Sequence, residues 1–353
     1  MEERLVAAWS RVLVAVTLVA WATPSASAAC TEGDVKTCVS EGIALLKGKD
    51  ADPSRAVAVF ERGCKGGDMN GCTALGVMAE TGEGTTRNLS KAAGLFELAC
   101  DGGDAKGCLN LGHMAIRGLA LKADKRRALE LFERACDGKL MSGCYNAGLS
   151  HLSGDGQREN PKRAAAFFKR ACEGRDGQAC FNLGVQYVDG YGVKKSLRKA
   201  RTLFQAACDG GDPAGCTNLG VLHERGKGGG RSLKKATRLY ETGCDRGDLA
   251  GCVNLGMLAE SGKVKRDPAA LYRKACDGKE LSGCLRLGRR LFKEPSTRAK
   301  GRTWLELACE GGQPESCFEM AGILKGEKAP ADKVRPYLLR ACTGGVKKAC
   351  QDL

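Results

Sequence analysis

Twenty cysteines stand in this 353-residue chain, and they fall into ten pairs of the form C-x7-C. The pairs are Cys30/Cys38, Cys64/Cys72, Cys100/Cys108, Cys136/Cys144, Cys172/Cys180, Cys208/Cys216, Cys244/Cys252, Cys276/Cys284, Cys309/Cys317 and Cys342/Cys350. From Cys64 to Cys244 the first member recurs every 36 residues; the outer intervals are 34 at the start and 32, 33 and 33 at the end. A fixed period of this size marks a stacked repeat, in which each unit buries its apolar face only against its neighbours.

Each period reads as two helices. After the second cysteine, stretches such as "CTNLGVLHERG" (216–226) carry apolar residues at helical spacing and close on glycine-rich segments. Twelve residues before a cysteine stand Asp52, Asn88, Asp124, Asn160, Ser196 and Ser232. All are N-cap types, and Pro53 and Pro161 follow where proline is tolerated. The first cysteine then ends the second helix, "DGG" turns the chain, and Asp212-Pro213 illustrates the next helix start. Small residues four places after the second cysteine run from Gly42 through Gly184 to Gly288 and then Ala321. A mid-helix glycine costs about 1 kcal/mol against alanine, so close approach of a partner helix is expected there. Four places before the first cysteine, Phe60, Phe96, Phe132, Phe168, Phe204, Tyr240 and Tyr272 read as core. Asp267-Pro268 lies only nine residues before Cys276, which predicts a helix about one turn short and a local kink.

The N-terminus explains the cysteine excess. Arg4 and Arg11 precede an apolar run from Val12 to Ala22, then Pro24 and the small residues Ala26-Ser27-Ala28. Residues 1–28 thus read as a secretory signal peptide, leaving residues 29–353 as the repeat domain in a compartment where disulfides persist. The sequence "SAAC" ending at Cys30 matches a lipoprotein cleavage box poorly, since Ser27 stands where leucine is usual. Export to the periplasm or the medium is the expectation, without a membrane span. Hydrophobic content of 43% and 27% charged residues fit an ordered chain, and the net charge of +15 suits an acidic partner or simple solubility.

The "NLG…G.G…KA…F…AC" unit resembles the Sel-1-like repeat, a relative of the tetratricopeptide repeat, over essentially all of residues 30–350. Its C-x7-C decoration is similar to the cysteine-rich secreted bacterial branch of that family. The resemblance implies an all-α, right-handed α/α superhelical solenoid of about nine helix pairs. It also carries a function label, because several cysteine-rich relatives are described as beta-lactamases or penicillin binders.

Pairing each cysteine with its partner eight residues on would staple the end of one helix to the first turns of the next. Closing so short a loop is worth about 2–3 kcal/mol in the chain-entropy model. C-x7-C is not a usual zinc spacing, only three histidines exist, and the C-x-x-C of redox catalysts is absent. Structural disulfides with no metal are therefore the reading for all ten pairs, and no cofactor is implied.

Motifs for catalysis are weak. "SLRK" (196–199) and "SLKK" (232–235) mimic a Ser-x-x-Lys nucleophile, but both occupy the repeat's cap position and lack companion motifs. "GKGGGRS" (226–232) fails the phosphate-loop order, and no H-E-x-x-H occurs. His151, Tyr187 and His223 share one repeat position and would line up on stacking, as further candidate ligand-binding residues of the concave face or as polar-tipped aromatics filling a repeat slot, whereas His113 stands apart in register. An asparagine row is the best binding feature: Asn110, Asn146, Asn182, Asn218 and Asn254, continued by Arg286 and ended by Glu319. By resemblance to tetratricopeptide proteins these would line the concave face and hold peptide backbone, since an amide both donates and accepts; an internal ladder between helices is the alternative. The function expected is thus a monomeric scaffold binding a protein or peptide, or a cell-wall fragment, with an acidic ligand favoured by charge. A beta-lactamase or penicillin-binding hydrolase is the second reading, resting on resemblance alone. Low aromatic content, 5%, and dispersed charge count against nucleic acid.

Overall fold

The computed structural model describes residues 30, 36–120 and 122–353; the signal-peptide reading of residues 1–28 lies outside them. The described residues form α-helices and one 3-10 turn, Pro295–Thr297, with no strand. The helices alternate between two kinds. The A helices, which carry the second cysteine of each pair, are α1 (Lys36–Leu45), α3 (Met69–Thr81), α5 (Ala105–Arg117), α7 (Met141–Ser153), α9 (Gly177–Asp189), α11 (Pro213–Arg225), α13 (Leu249–Glu260), α15 (Leu281–Lys293), α17 (Pro314–Gly326) and the short α19 (Lys347–Gln351). The B helices are α2 (Pro53–Lys65), α4 (Leu89–Asp101), α6 (Lys125–Asp137), α8 (Pro161–Glu173), α10 (Leu197–Asp209), α12 (Leu233–Asp245), α14 (Pro268–Asp277), α16 (Arg298–Glu310) and α18 (Ala331–Thr343). From α1 to α3 and from α5 to α19, consecutive helices pack pairwise, as in a solenoid. The helix before Cys276, α14, has 10 residues where its neighbour α12 has 13, the shortening that Asp267-Pro268 predicts.

Sequence caps set the starts. Asp52, Asn88, Asp124, Asn160, Ser196 and Ser232 each accept a hydrogen bond from the amide three residues on, satisfying a donor the helix itself leaves open. At the other end the chain turns through a left-handed residue, Gly103 at φ 91° in the first corner of the larger unit. Asp104 N–H then donates back to Ala99 O, and the Asp104 carboxylate caps the next helix through Lys106 N. Lys139, Arg175 and Lys279 hold the same left-handed conformation in three later corners.

The corner is closed by sulfur. Disulfides join Cys30 to Cys38, Cys64 to Cys72, Cys100 to Cys108, Cys136 to Cys144 and Cys172 to Cys180. The series continues with Cys208 to Cys216, Cys244 to Cys252, Cys276 to Cys284, Cys309 to Cys317 and Cys342 to Cys350. These are the pairs the C-x7-C spacing predicts, and all twenty cysteines are used. Cα separations run from 4.4 Å at Cys136–Cys144 to 4.8 Å at Cys342–Cys350. From Cys64 on, the first cysteine is the penultimate residue of a B helix and the second is the fourth residue of the next A helix. That position faces inward. Cys38, Cys72, Cys108, Cys144, Cys180, Cys216, Cys252, Cys284 and Cys317 are all buried, and only Cys350, in the terminal helix, is exposed. The bridges therefore belong to the packing of the corners and not to a surface that meets a ligand.

The chain divides into two compact units, residues 1–95 and 96–353. In the first, Ala56, Phe60, Leu75 and Met78 form the core, and the Phe60 ring covers Gly42. In the second, a chain of small cores runs from repeat to repeat; Phe168, for example, packs with Ala164, Ala171, Ala179 and Leu183. The expected core row is buried throughout: Phe132, Phe168, Phe204, Tyr240 and Tyr272 are at most 1% exposed. Its partner is the glycine row. A methyl at Gly184 would lie 2.6 Å from Phe204 Cε1, and Gly112, Gly148, Gly220 and Gly256 meet Phe132, Phe168, Tyr240 and Tyr272 in the same way. The ring of each B helix thus occupies the Cβ space of the A helix before it. Where the row changes from phenylalanine to tyrosine the hydroxyl finds a carboxylate, Tyr240 donating to Glu224 at 2.7 Å and Tyr272 to Glu260 at 2.9 Å.

Arginines carry the stacking between repeats. Arg134 donates to Cys100 O and Asp101, and Arg170 to Cys136 O and Asp137, all within 3.0–3.1 Å. Arg246 reaches Cys208 O at 2.8 Å. Each guanidinium therefore caps the C-terminal carbonyls of the preceding B helix, which have no partner inside their own helix.

Gly184→Ala is expected to destabilise by about 1–3 kcal/mol through overpacking against Phe204. Gly94→Ala, where a Cβ meets nothing within 4 Å, is expected to stabilise by about 0.5–1 kcal/mol. Denaturant melts of the two variants check this opposition of sign. A second outcome concerns His113, which sits edge-on to Phe132 at 5.2 Å. Burial pushes its pKa down to about 4, helped by the Arg117 guanidinium. The unfolded chain takes up this proton below about pH 6.5 and the folded chain does not, so its contribution is complete above that pH and is lost as pH falls toward 4. The loss amounts to at most about 1.4 kcal/mol per pH unit. Half-buried Asp176 and Asp212, whose pKa values are raised, slope the opposite way, so the test is the difference between wild type and His113→Gln: the variant's stability should fall less over this window.

Candidate functional site

The asparagine row sits in the first half of the A helices. Asn146, Asn182 and Asn218 each turn an amide N–H back to the carbonyl four residues earlier, at 2.9, 3.0 and 2.9 Å. That fixes the side-chain rotamer and leaves the Oδ1 acceptor and a second N–H for other partners. Asn182 uses part of this capacity on the Tyr145 hydroxyl of the preceding A helix, where burial holds the phenol pKa above its ordinary value. Asn146 is buried, while Asn110, Asn182, Asn218 and Asn254 are half-buried.

His151, Tyr187 and His223 stand apart from that row. Each lies five residues beyond an asparagine of its helix, about 140° around the axis. His151 has no exposed surface. Its Nε2 lies 2.7 Å from Glu133, the Gln157 amide contacts Nδ1, and the ring stacks on Phe167 at 5.2 Å. A ring carrying its proton on Nε2 satisfies both contacts. His223 is 6% exposed and accepts from Arg201 at 2.7 Å. Burial and that guanidinium push its pKa down. Tyr187 lies beneath the Lys199 ammonium, 5.1 Å from the ring centre. All three side chains thus tie an A helix to the loop or B helix around it.

A cavity of about 880 Å³ opens where the asparagine row gives way to Arg286 and Glu319. Arg286, Arg289 and Phe292 line it from α15, and Phe318, Gly322 and Ile323 from α17. Leu305 and Leu338 contribute from the B helices behind. Some of its charges are matched: Arg289 pairs with Glu319, and Lys325 with Asp352 at 2.9 Å. Arg286 instead stands near the Tyr272 hydroxyl, which burial and its hydrogen bond to Glu260 keep protonated well above the usual phenol range. The Arg298 guanidinium lies over the Phe292 ring at 5.5 Å. Apolar walls with a few cations can hold an apolar side chain beside a carboxylate. Sequence reasoning reached Arg286 and Glu319 but missed Phe292, Phe318, Gly322 and Ile323. The available signal was Ala321-Gly322, where the row's glycine moves one place along the helix and so leaves the position that the core-row residue, here Leu338, covers. Among the described residues no cluster of three or more His, Cys, Asp or Glu could hold a metal ion, and no helix is long and apolar enough to cross a membrane.

Comparison with known proteins agrees with this architecture. No curated protein matches the chain. Among solved structures, c5321, a protective antigen of uropathogenic Escherichia coli with an SLR fold, superposes with a TM-score of 0.77 at 21% identity, covering 88% of this chain and 69% of that one. A Sel1 repeat protein from Oxalobacter formigenes gives a TM-score of 0.60 at 21% identity, covering 68% of this chain and 96% of its own. At these identities the likeness is one of fold. The Sel1 repeat family model matches seven times, over residues 70–104, 105–140, 142–176, 177–212, 213–248, 249–279 and 282–313, and the chain belongs to the Sel1 repeat family.

Proposed function

We propose that the protein is an exported scaffold that captures an extended segment of a partner protein along its A helices, anchored in the cavity between α15 and α17. Sel1 repeat proteins generally bind protein partners, and ten disulfides suit an oxidising, extracytoplasmic compartment. The cavity is the observation that carries the reading. It joins an apolar floor of Phe292, Phe318 and Ile323 to Arg286, Lys293 and Arg298, none of which forms an ion pair among the described residues. A peptide with an apolar side chain next to an acidic one fits that chemistry. The half-buried Asn182, Asn218 and Asn254 would hold backbone leading into it, each with an acceptor to offer. The signal-peptide reading of residues 1–28 supplies the route of export, and periplasm and medium are equally compatible with it.

Gly322 supplies the test. It lines the cavity, and a Cβ there meets nothing within 4 Å. Gly322→Leu should therefore fill the cavity without disturbing the fold, and raise stability slightly by removing a glycine from a helix. Phage-displayed random linear peptides are panned on the oxidised wild type and on this variant. Enrichment of acidic-apolar peptides by the wild type and its loss in a variant of unchanged or higher melting temperature is the expected outcome. Equal enrichment by both proteins would place binding elsewhere.

A further inference from the structure

The two ends of the helices in residues 96–353 carry opposite charge. At the disulfide corners the residue after the first cysteine is acidic in every repeat from Asp101 to Asp277. At the other end, the loops leaving the A helices and the first turns of the B helices are basic. Residues 190–201 hold five cations and no carboxylate, and residues 225–238 hold six and none. These two segments adjoin each other: Gly228 is seated on the Leu197 carbonyl, and Arg201 donates to Gly230 O at 3.2 Å. Lys194, Lys195, Arg198 and Lys199 are exposed on the first, and Lys227, Lys234 and Lys235 on the second.

Stability does not account for this placement. The N-terminus of a helix bears positive partial charge and favours anions, yet α10 opens with Arg198 and Lys199 and α12 with Lys234 and Lys235. Earlier repeats neutralise the cation that follows the cap by three residues. Arg127 pairs with Glu97 and Arg163 with Glu133, in each case 30 residues back. The same interval leads from Lys199 to Lys169 and from Lys235 to Gln205, so these two repeats lack the carboxylate. The acidic corners do not substitute for it. A 13-residue helix separates the ends, about 20 Å at 1.5 Å per residue, against a screening length of about 8 Å at physiological salt.

We propose that this edge, formed by residues 190–201 and 225–238, docks on an anionic lipid surface. Six lysines and five arginines make up the edge, spread over two loops and two helix starts, and charge dispersed in this way suits a diffuse field of phosphates rather than one carboxylate in fixed geometry. Tyr191 stands 45% exposed at the tip of the same loop as Lys194, between Gly190 and Gly192. An amphipathic ring beside lysines suits the headgroup layer. The edge is separate from the peptide cavity, so it would hold the scaffold at a membrane while the A helices remain available.

Co-sedimentation of the oxidised protein with vesicles tests this, using phosphatidylcholine alone and an equal mixture with phosphatidylglycerol. Binding to the mixture, its absence with phosphatidylcholine, and release by high salt are expected. Reversing Lys194, Lys195, Lys234 and Lys235 to Glu should weaken vesicle binding by more than about tenfold, and their conversion to Gln by less. Reversing Lys106, Lys279, Lys347 and Lys348, which lie at the disulfide-corner end, changes net charge equally and should leave binding nearly intact. Failure of the wild type to bind the mixed vesicles overturns the proposal, as does equal loss in both reversals. Retention on soluble polyphosphate without vesicle binding overturns it too, and assigns the edge to a free polyanion.

Discussion

The disulfide corner is the constraint from which the other regularities follow. Holding the end of a B helix within 4.4–4.8 Å of the first turn of the next A helix leaves room between them only for glycine or for a small side chain such as Ala179 or Ser316, both fully buried. The residue before the second cysteine shows this: a methyl at Gly107, next to Cys108, would lie 2.7 Å from Ala99 Cβ and 2.9 Å from Cys100 N. Gly143, Gly215, Gly251 and Gly283 stand in the same confinement. With the corner fixed, the A helix can lean its middle glycine against the following B helix, and the Phe204-type ring fills the space. The A helices α5, α7, α11, α13 and α15 therefore touch their neighbours through glycine at two heights, which sets spacing and crossing without relying on a large core. A short cross-link is worth only about 2–3 kcal/mol by itself. Its larger effect is to make each unit competent to stack.

The same corner distributes polar groups. Because every B helix ends beside a disulfide, its last carbonyls recur in one row, and Arg134, Arg170 and Arg246 serve as caps from the next repeat. The acidic residue after the cysteine, Asp101 or Asp137, accepts from the same Nη2 that caps the carbonyl. Charges at the corner end are thus consumed by stacking. Opposite the corner no such requirement acts in the middle repeats, and the composition there is free to answer to something outside the chain.

Much of this was legible in the sequence, and the boundary is physical. The repeat, the cysteine pairing, the caps at Asp52 through Ser232 and the short helix after Asp267 are local, encoded within a few residues of where they act. The aromatic and glycine rows were legible as rows, but not as partners, because Gly184 and Phe204 meet only once two helices cross. Arg170 and Cys136 O are 34 residues apart, and nothing short of the stacked structure links them. His151 shows the limit best. A histidine, a tyrosine and a histidine in one register suggest an exposed line, yet the register also falls where the loop folds back, and Gln157 with Glu133 encloses the first ring entirely. Periodicity reports equivalence of position and not exposure.

The asparagine row changes meaning for a related reason. An amide bonded back to its own helix, as in Asn146, is compatible with either a structural ladder or a binding surface, because one donor is spent and an acceptor remains. The row's end departs from this pattern. Arg286 cannot accept a hydrogen bond, and its guanidinium stands near the Tyr272 hydroxyl. The aromatic row ends at Tyr272 and gives way to Leu305 and Leu338, so two rows depart from consensus together, beside the shortened α14 and where Gly322 moves off the packing position. Repetition fixes the architecture by making units alike; the cavity arises where several of its rows fail at once, and that coincidence is what separates a site from a variation in packing.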